Sequence, residues 1–318
     1  MMGNGGIAVA KKRILTLGRC YMELGMTMQA LPKEGEQVNS EGRYGFSGGG
    51  SGLLSAIGIA RMGVDSMLCA RVGNDVYGNR LRSLLESSGV SVRHVTVDKK
   101  SPTSLKVTLV PELQRHSSVF YDGAAALLSA ENVEEAFVSY PDALVLCGDL
   151  PFALERTAAE FAQDDDLPVF LKVPMHSPDR PLHSLGRLKA AVLGEEEIAS
   201  YTGSKPDSVA DYLQASIKLS SRIRADYFLF DLGARGTYVT DGKYSDMIAP
   251  VPATFVDRNG APECFLAALS ARYLFDGDMK NAASYARAAS ALCGAKTGTV
   301  GSLPTLALVE ELLERMGE

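Results

Sequence analysis

From residue 143 onward the chain alternates short apolar runs with amphipathic stretches, and few sequence features restrict a fold as much. Strand-like runs fall at 143–147, 168–173, 190–193 and 226–231, and helical patterns at 153–163, 195–202 and 207–223. Near-continuous apolar runs suit strands buried on both faces, and helical crossovers between them impose parallel pairing. The expected architecture is therefore a doubly wound α/β sheet with helices on both faces. The opening of the chain repeats the theme, with strands at 13–18 and 67–72 and helices at 53–62 and 76–88. Gly63 and Gly89 stand where a helix C-terminus favours glycine. A β pair at 236–249 and helices at 262–275, 279–296 and 305–316 complete the pattern.

The alternation breaks twice. Residues 20–46 are polar and interrupted by Pro32 and Gly35, which suits short exposed strands. Within 98–122, apolar alternations at 104–110 and 117–121 read as a hairpin. These two segments are expected to form a small β sheet standing apart as a lid. No linker or repeat divides the 318 residues, so we expect a loose leader at 1–12 and one α/β domain over 13–318. Exposed lid edges invite pairing with another chain, and a homodimer through the lid is one expectation.

Composition removes several function classes. A net charge of −6 and the lack of a basic run argue against nucleic acid as a partner. No apolar stretch is long enough for a membrane span, and the N-terminus orders its apolar and basic pieces opposite to a signal peptide. Cys20, Cys69, Cys147, Cys264 and Cys293 are scattered without a C-x-x-C pair, which fits thiols of a cytoplasmic protein. His94, His116, His176 and His183 show no metal-ligand spacing.

Three glycine-containing segments could carry chemistry. Phe255-Val-Asp257-Arg-Asn-Gly260-Ala-Pro-Glu263-Cys-Phe265 is an acidic turn running into a helix. Free N–H groups there form an anion site, and a carboxylate beside a bound phosphate could act as a base. The same residues also serve as an ordinary helix start, with Pro262 in the first turn and Glu263 complementing the macrodipole. Gly45-Phe-Ser47-Gly-Gly49-Gly50-Ser51-Gly52 feeds a helix but matches neither G-x-G-x-x-G nor a P-loop, so a flexible loop and a ligand loop both account for it. Asp231-Leu-Gly233-Ala-Arg235-Gly236 lies at the carboxyl end of an expected strand, a place for ligands in open α/β sheets and equally for a tight turn. Glu195-Glu196-Glu197 reads as a solvated first helical turn. Ser47 and Ser51 lack the G-x-S-x-G of a hydrolase nucleophile, and no G-x-G-x-x-G follows the first strand as a dinucleotide enzyme requires.

Taken in order, these pieces resemble the ribokinase-like (pfkB) family of carbohydrate kinases over nearly the whole chain. The resemblance rests on the first strand with Gly18, Glu34-Gly35-Glu36, the glycine run with its helix ending Ala60-Arg61-Met62-Gly63, and Val72-Gly73-Asn74-Asp75-Val76-Tyr77-Gly78. It continues through Leu232 to Gly236 and Val256-Asp257 to Phe265, where the family reads D-x-x-G-A-G-D-x-F. It implies a doubly wound body with a β lid, and phosphoryl transfer from ATP, with Mg²⁺, to a hydroxyl of a sugar, sugar acid or nucleoside. It also admits a monovalent cation. By position it makes Glu263 the base, Gly260 and Ala261 the anion hole, and Asp257 the acidic residue before it. Gly233 and Gly236 fall on the nucleotide side, and Glu23, Gly49, Gly50 and Asp149 face the sugar. Glu197 takes the last position of N-x-x-E, near magnesium and phosphate.

The departures gather at the same places. Glu263 replaces an aspartate and carries its carboxylate about 1.5 Å further. Pro262 replaces the last glycine of the anion turn and removes an N–H donor, a change comparable to losing roughly 3 kcal/mol of oxyanion stabilisation. Gly194 and Leu54 stand where asparagines are usual, Glu23 where aspartate is, and Lys172 where an uncharged or acidic residue is commoner. A non-catalytic member that binds a metabolite or protein is the alternative these changes raise.

Overall fold

The computed structural model describes residues 12–40, 42–112, 116–177 and 179–317. Apart from Lys12, the expected leader lies outside the described residues, as do Glu41 and 113–115 of the lid segments. Among the described residues ten strands form one sheet, in the order Ser245–Ile248, Thr237–Thr240, Ala225–Asp231, Leu188–Gly194, Val169–Lys172, Ala143–Leu146, Arg13–Leu17, Asp65–Gly73 and Val90–Ser91. Val95–Asp98 also pairs with Asp65–Gly73. Pairing is parallel from Ala225–Asp231 to Val90–Ser91, and the two strands from the expected 236–249 pair close the other edge antiparallel.

Successive residues of each central strand face opposite cores, as the two-residue period of a strand demands. Ile14, Val145 and Phe170 enter a core shared with Ile57, Phe265 and Leu269, from helices Ser51–Arg61 and Ala261–Asp276. Leu15, Leu144 and Leu171 enter the other, with Val133, Ala158 and Leu219 from helices Ala130–Phe137, Phe152–Asp164 and Val209–Ser220. Helices thus cover both faces as expected. Among the described strands and α-helices three were not expected: the two short strands Val90–Ser91 and Val95–Asp98, and the eight-residue helix Ala130–Phe137. Each is too short for periodicity to register.

A separate sheet has the order Tyr44–Gly49, Tyr21–Met28, Leu105–Pro111, Ser117–Tyr121. The expected hairpin is its antiparallel outer pair. Its register puts Glu23, Ser47, Lys106 and Phe120 in one row, and Leu24, Phe46, Val107 and Val119 in the next. One face is therefore polar and the other apolar. No helix among the described residues is long and apolar enough to cross a membrane.

Candidate active site

The polar residues at issue leave the carboxyl ends of the parallel strands. Asp149 follows Ala143–Leu146, Lys172 ends Val169–Lys172, Gly194 ends Leu188–Gly194 and Asp231 ends Ala225–Asp231. This is the end of an open α/β sheet that accommodates ligands.

Asp149 is closely held. Its Oδ1 accepts from the Arg19 backbone N–H at 3.1 Å, its Oδ2 accepts from the Ser51 hydroxyl, and its carbonyl accepts from Arg19 Nε at 2.9 Å. Burial pushes its carboxyl above the usual range, against the pull of Ser51, Arg19 and Lys172. The glycine run packs against the same turn. Gly50 has φ +105°, and a Cβ there would lie 2.2 Å from the Arg19 carbonyl oxygen, while one on Gly49 would lie 2.7 Å from the Tyr21 ring. Close backbone approach thus accounts for both glycines.

Glu23, on the small sheet, accepts from Thr108 Oγ1 at 2.6 Å and pairs with Lys106 at 3.2 Å. Tyr21 connects this sheet to the body. Burial and then the charges of Glu23, Asp149 and Glu263 push its phenol well above the ordinary value. Three carboxylates drawn from distant parts of the sequence thus act on one phenol. Tyr21, Arg19, Lys106 and Thr108 escaped sequence reasoning, and Ser51 figures there as part of the glycine run and not as a partner of Asp149. Only Tyr21 left a signal, being two positions before Glu23 and so on the same strand face.

Glu263 lies in the first turn of the Ala261–Asp276 helix, which leaves Gly260 in the left-handed region at φ +83°. It is 8% exposed. Its Oε1 accepts from Lys172 Nζ at 2.6 Å. Burial opposes the charge on Lys172, but the Glu263 carboxylate, together with Cys147 and Asp149, outweighs it and holds the ammonium above its ordinary pKa. The Ala261 N–H reaches back to the Arg258 carbonyl at 3.3 Å, and Pro262 has no N–H to offer. Asp257 caps the neighbouring loops, accepting from Asn259 N at 2.9 Å and Gly298 N at 3.2 Å.

On the far side, Asp231 accepts from Gly233 N at 3.2 Å. Burial raises its carboxyl, Gly233 and Arg258 oppose the rise, and Glu195 and Glu197 add to it, which gathers these groups around one strand end. Gly236 has φ +96°, and a Cβ there would meet the Ile248 carbonyl oxygen at 2.2 Å. Glu197 reaches back with Oε2 to the Gly194 N–H at 3.1 Å, the reciprocal bond of a capping box. Among the described residues no three His, Cys, Asp or Glu side chains form a group able to hold a metal.

Residues 11–306 match the family model described as pfkB family carbohydrate kinase. Ribokinase of Bacillus subtilis (strain 168) is 25% identical over 313 residues, covering 95% of this chain and 99% of its own. An ATP-dependent ribose-1-phosphate kinase of Halopiger xanaduensis is 28% identical over 306 residues, covering 95% and 98%. In structure the chain is similar to Arabidopsis thaliana ribokinase complexed with ribose and ATP, with TM-score 0.86 and 23% identity over 96% of this chain and 99% of that one.

Proposed function

Because the chain belongs to the pfkB family of carbohydrate kinases, we propose that it transfers the γ-phosphate of ATP to a hydroxyl of a sugar, sugar acid or nucleoside, with Glu263 as the base. The observation that carries this reading is a carboxylate at 8% exposure in the first turn of a buried helix, beside Lys172 and in the same neighbourhood as Asp149. In the step, Glu263 takes the hydroxyl proton, the acceptor oxygen bonds to the γ-phosphorus, and the bond to the bridging oxygen breaks, leaving ADP. Glu23, Asp149 and the backbone at Gly49 and Gly50 orient the acceptor. Gly233 and Gly236 shape the nucleotide side, and the anion hole falls to the amides of Gly260 and Ala261, the latter by giving up its bond to the Arg258 carbonyl. Positioning of this kind is most of what phosphoryl transfer asks of a protein.

Glu197 and Asp257 offer hard oxygen donors whose lone pairs are not exhausted by one amide each, which fits Mg²⁺ held mainly by phosphate oxygens and water. Such an ion neutralises charge on the phosphates. A second copy of the chain is proposed to cover the apolar face of the small sheet.

ADP release measured over a panel of sugars, sugar acids and nucleosides tests the reading. Turnover is expected with at least one acceptor, and Glu263→Gln is expected to lower kcat by about 10²- to 10⁴-fold. Retained turnover in that variant refutes the assigned base. The engaged Ala261 N–H and the missing donor at Pro262 favour a second reading, a binding protein without catalysis. No turnover, with no calorimetric binding of a non-hydrolysable ATP analogue, supports it.

A further inference from the structure

Lys172 is the departure that the proposed function leaves unused. The residues before it in its strand, Val169, Phe170 and Leu171, are fully buried, yet the Lys172 side chain retains 28% exposure at the strand end. An ammonium has three N–H donors, and the contact with Glu263 uses one. The nearby carboxylates have their own partners, Glu23 pairing with Lys106 and Thr108, and Asp149 accepting from Ser51 and Arg19. Lys172 is thus balanced by the very group assigned to accept the proton. That contact, at 2.6 Å, occupies Oε1, one of the two carboxylate oxygens able to accept a hydroxyl proton. A neutral acceptor would meet a base restrained by its own ion pair.

We infer that the acceptor is a monosaccharide or nucleoside bearing an anionic group, carboxylate or phosphate, and that this group binds Lys172 and draws it away from Glu263. The displaced ion pair frees Glu263 to take the hydroxyl proton as the acceptor oxygen bonds to phosphorus. The catalytic half of the inference rests on the kinase reading; the binding half does not. Selectivity for the right acceptor then resides partly in the base itself, which becomes competent only when the anion is present.

Calorimetry without nucleotide tests the binding half independently of turnover. Matched neutral and anionic ligands would be ribose, ribonate and ribose 1-phosphate, glucose and gluconate, and a nucleoside with its monophosphate. The wild-type protein is expected to bind at least one anion about tenfold or more tightly than its neutral counterpart, and ribonate against ribose 1-phosphate identifies carboxylate or phosphate. Lys172→Gln should erase that preference and Lys172→Arg should retain it. Glu263→Gln should strengthen it, since Lys172 then has no competing carboxylate. The proposal is overturned if no anion binds more tightly than its neutral partner, if Lys172→Gln keeps the preference, or if Glu263→Gln weakens it. A residue that merely clamps Glu263 would give unchanged anion preference in all three variants. Absence of phosphoryl transfer in the ADP assay, by contrast, would remove the kinase reading and leave the binding result standing.

Discussion

Pro262 has opposing effects on the two things a helix start can do. Its ring suits the first turn, where an N–H has no intrahelical acceptor, and limits the unfolded chain. The same missing N–H is unavailable to a developing anion, and the preceding amide of Ala261 already points at the Arg258 carbonyl. Pro262→Gly is therefore expected to raise kcat or nucleotide affinity about ten- to hundredfold, while lowering stability by roughly 1 kcal/mol. Steady-state kinetics beside calorimetric melting separates the two. A lower Tm with unchanged kinetics would make Pro262 a helix starter and nothing more. The sequence already exposed this position, because Gly260, Ala261, Pro262 and Glu263 are contiguous. It could not expose Lys172 as the partner of Glu263, since 91 residues separate them and only the sheet order brings them together.

The turn that carries Asp149 is secured from below. Glu155, fully buried in the Phe152–Asp164 helix, accepts from the Leu150 N–H at 3.2 Å and pairs with Arg180, which also donates to the Leu150 carbonyl at 2.9 Å. Burial raises the Glu155 pKa to about 7, with Arg180 only partly offsetting it. A carboxyl with a raised folded pKa makes folding take up a proton. Its contribution is present below the unfolded value of 4.5 and is lost as pH rises through about 7. Stability is expected to fall across that window by at most about 1.4 kcal/mol per pH unit. Glu155→Gln keeps the acceptor for Leu150 and should flatten the dependence; thermal melts from pH 4.5 to 7.5 would show an unchanged slope if Glu155 were not responsible. The helix over 152–164 was legible from its apolar spacing. Its buried acid was not, because amphipathic spacing does not distinguish a solvated glutamate from one that meets an arginine of a distant loop.

At the scale of the molecule, packing turns on the small sheet. Alternating patterns revealed its hairpin, yet the parallel pairing of Tyr21–Met28 with Leu105–Pro111 joins segments about 80 residues apart, which local turn signals cannot specify. That pairing aligns Leu24, Phe46, Val107 and Val119 across four strands, with Tyr44 and Tyr121 in the adjoining rows. Phe46 finds a partner in Tyr77, stacked at 5.5 Å. Tyr44, Val119 and Tyr121 remain 72%, 73% and 54% exposed. A contiguous apolar sheet face is a common mark of association, and the proposed second copy would cover it with the same rows, as a twofold interface requires. Sedimentation of the wild-type chain is expected to show dimers at micromolar concentration. Val119→Glu, which places a charge in the middle of the contact, should weaken association by about 100-fold. It should leave the isolated fold intact, because Val119 touches water and not the core in the single chain. A wild-type protein that stays monomeric at every concentration would sink the dimer, and the apolar face would then need another occupant.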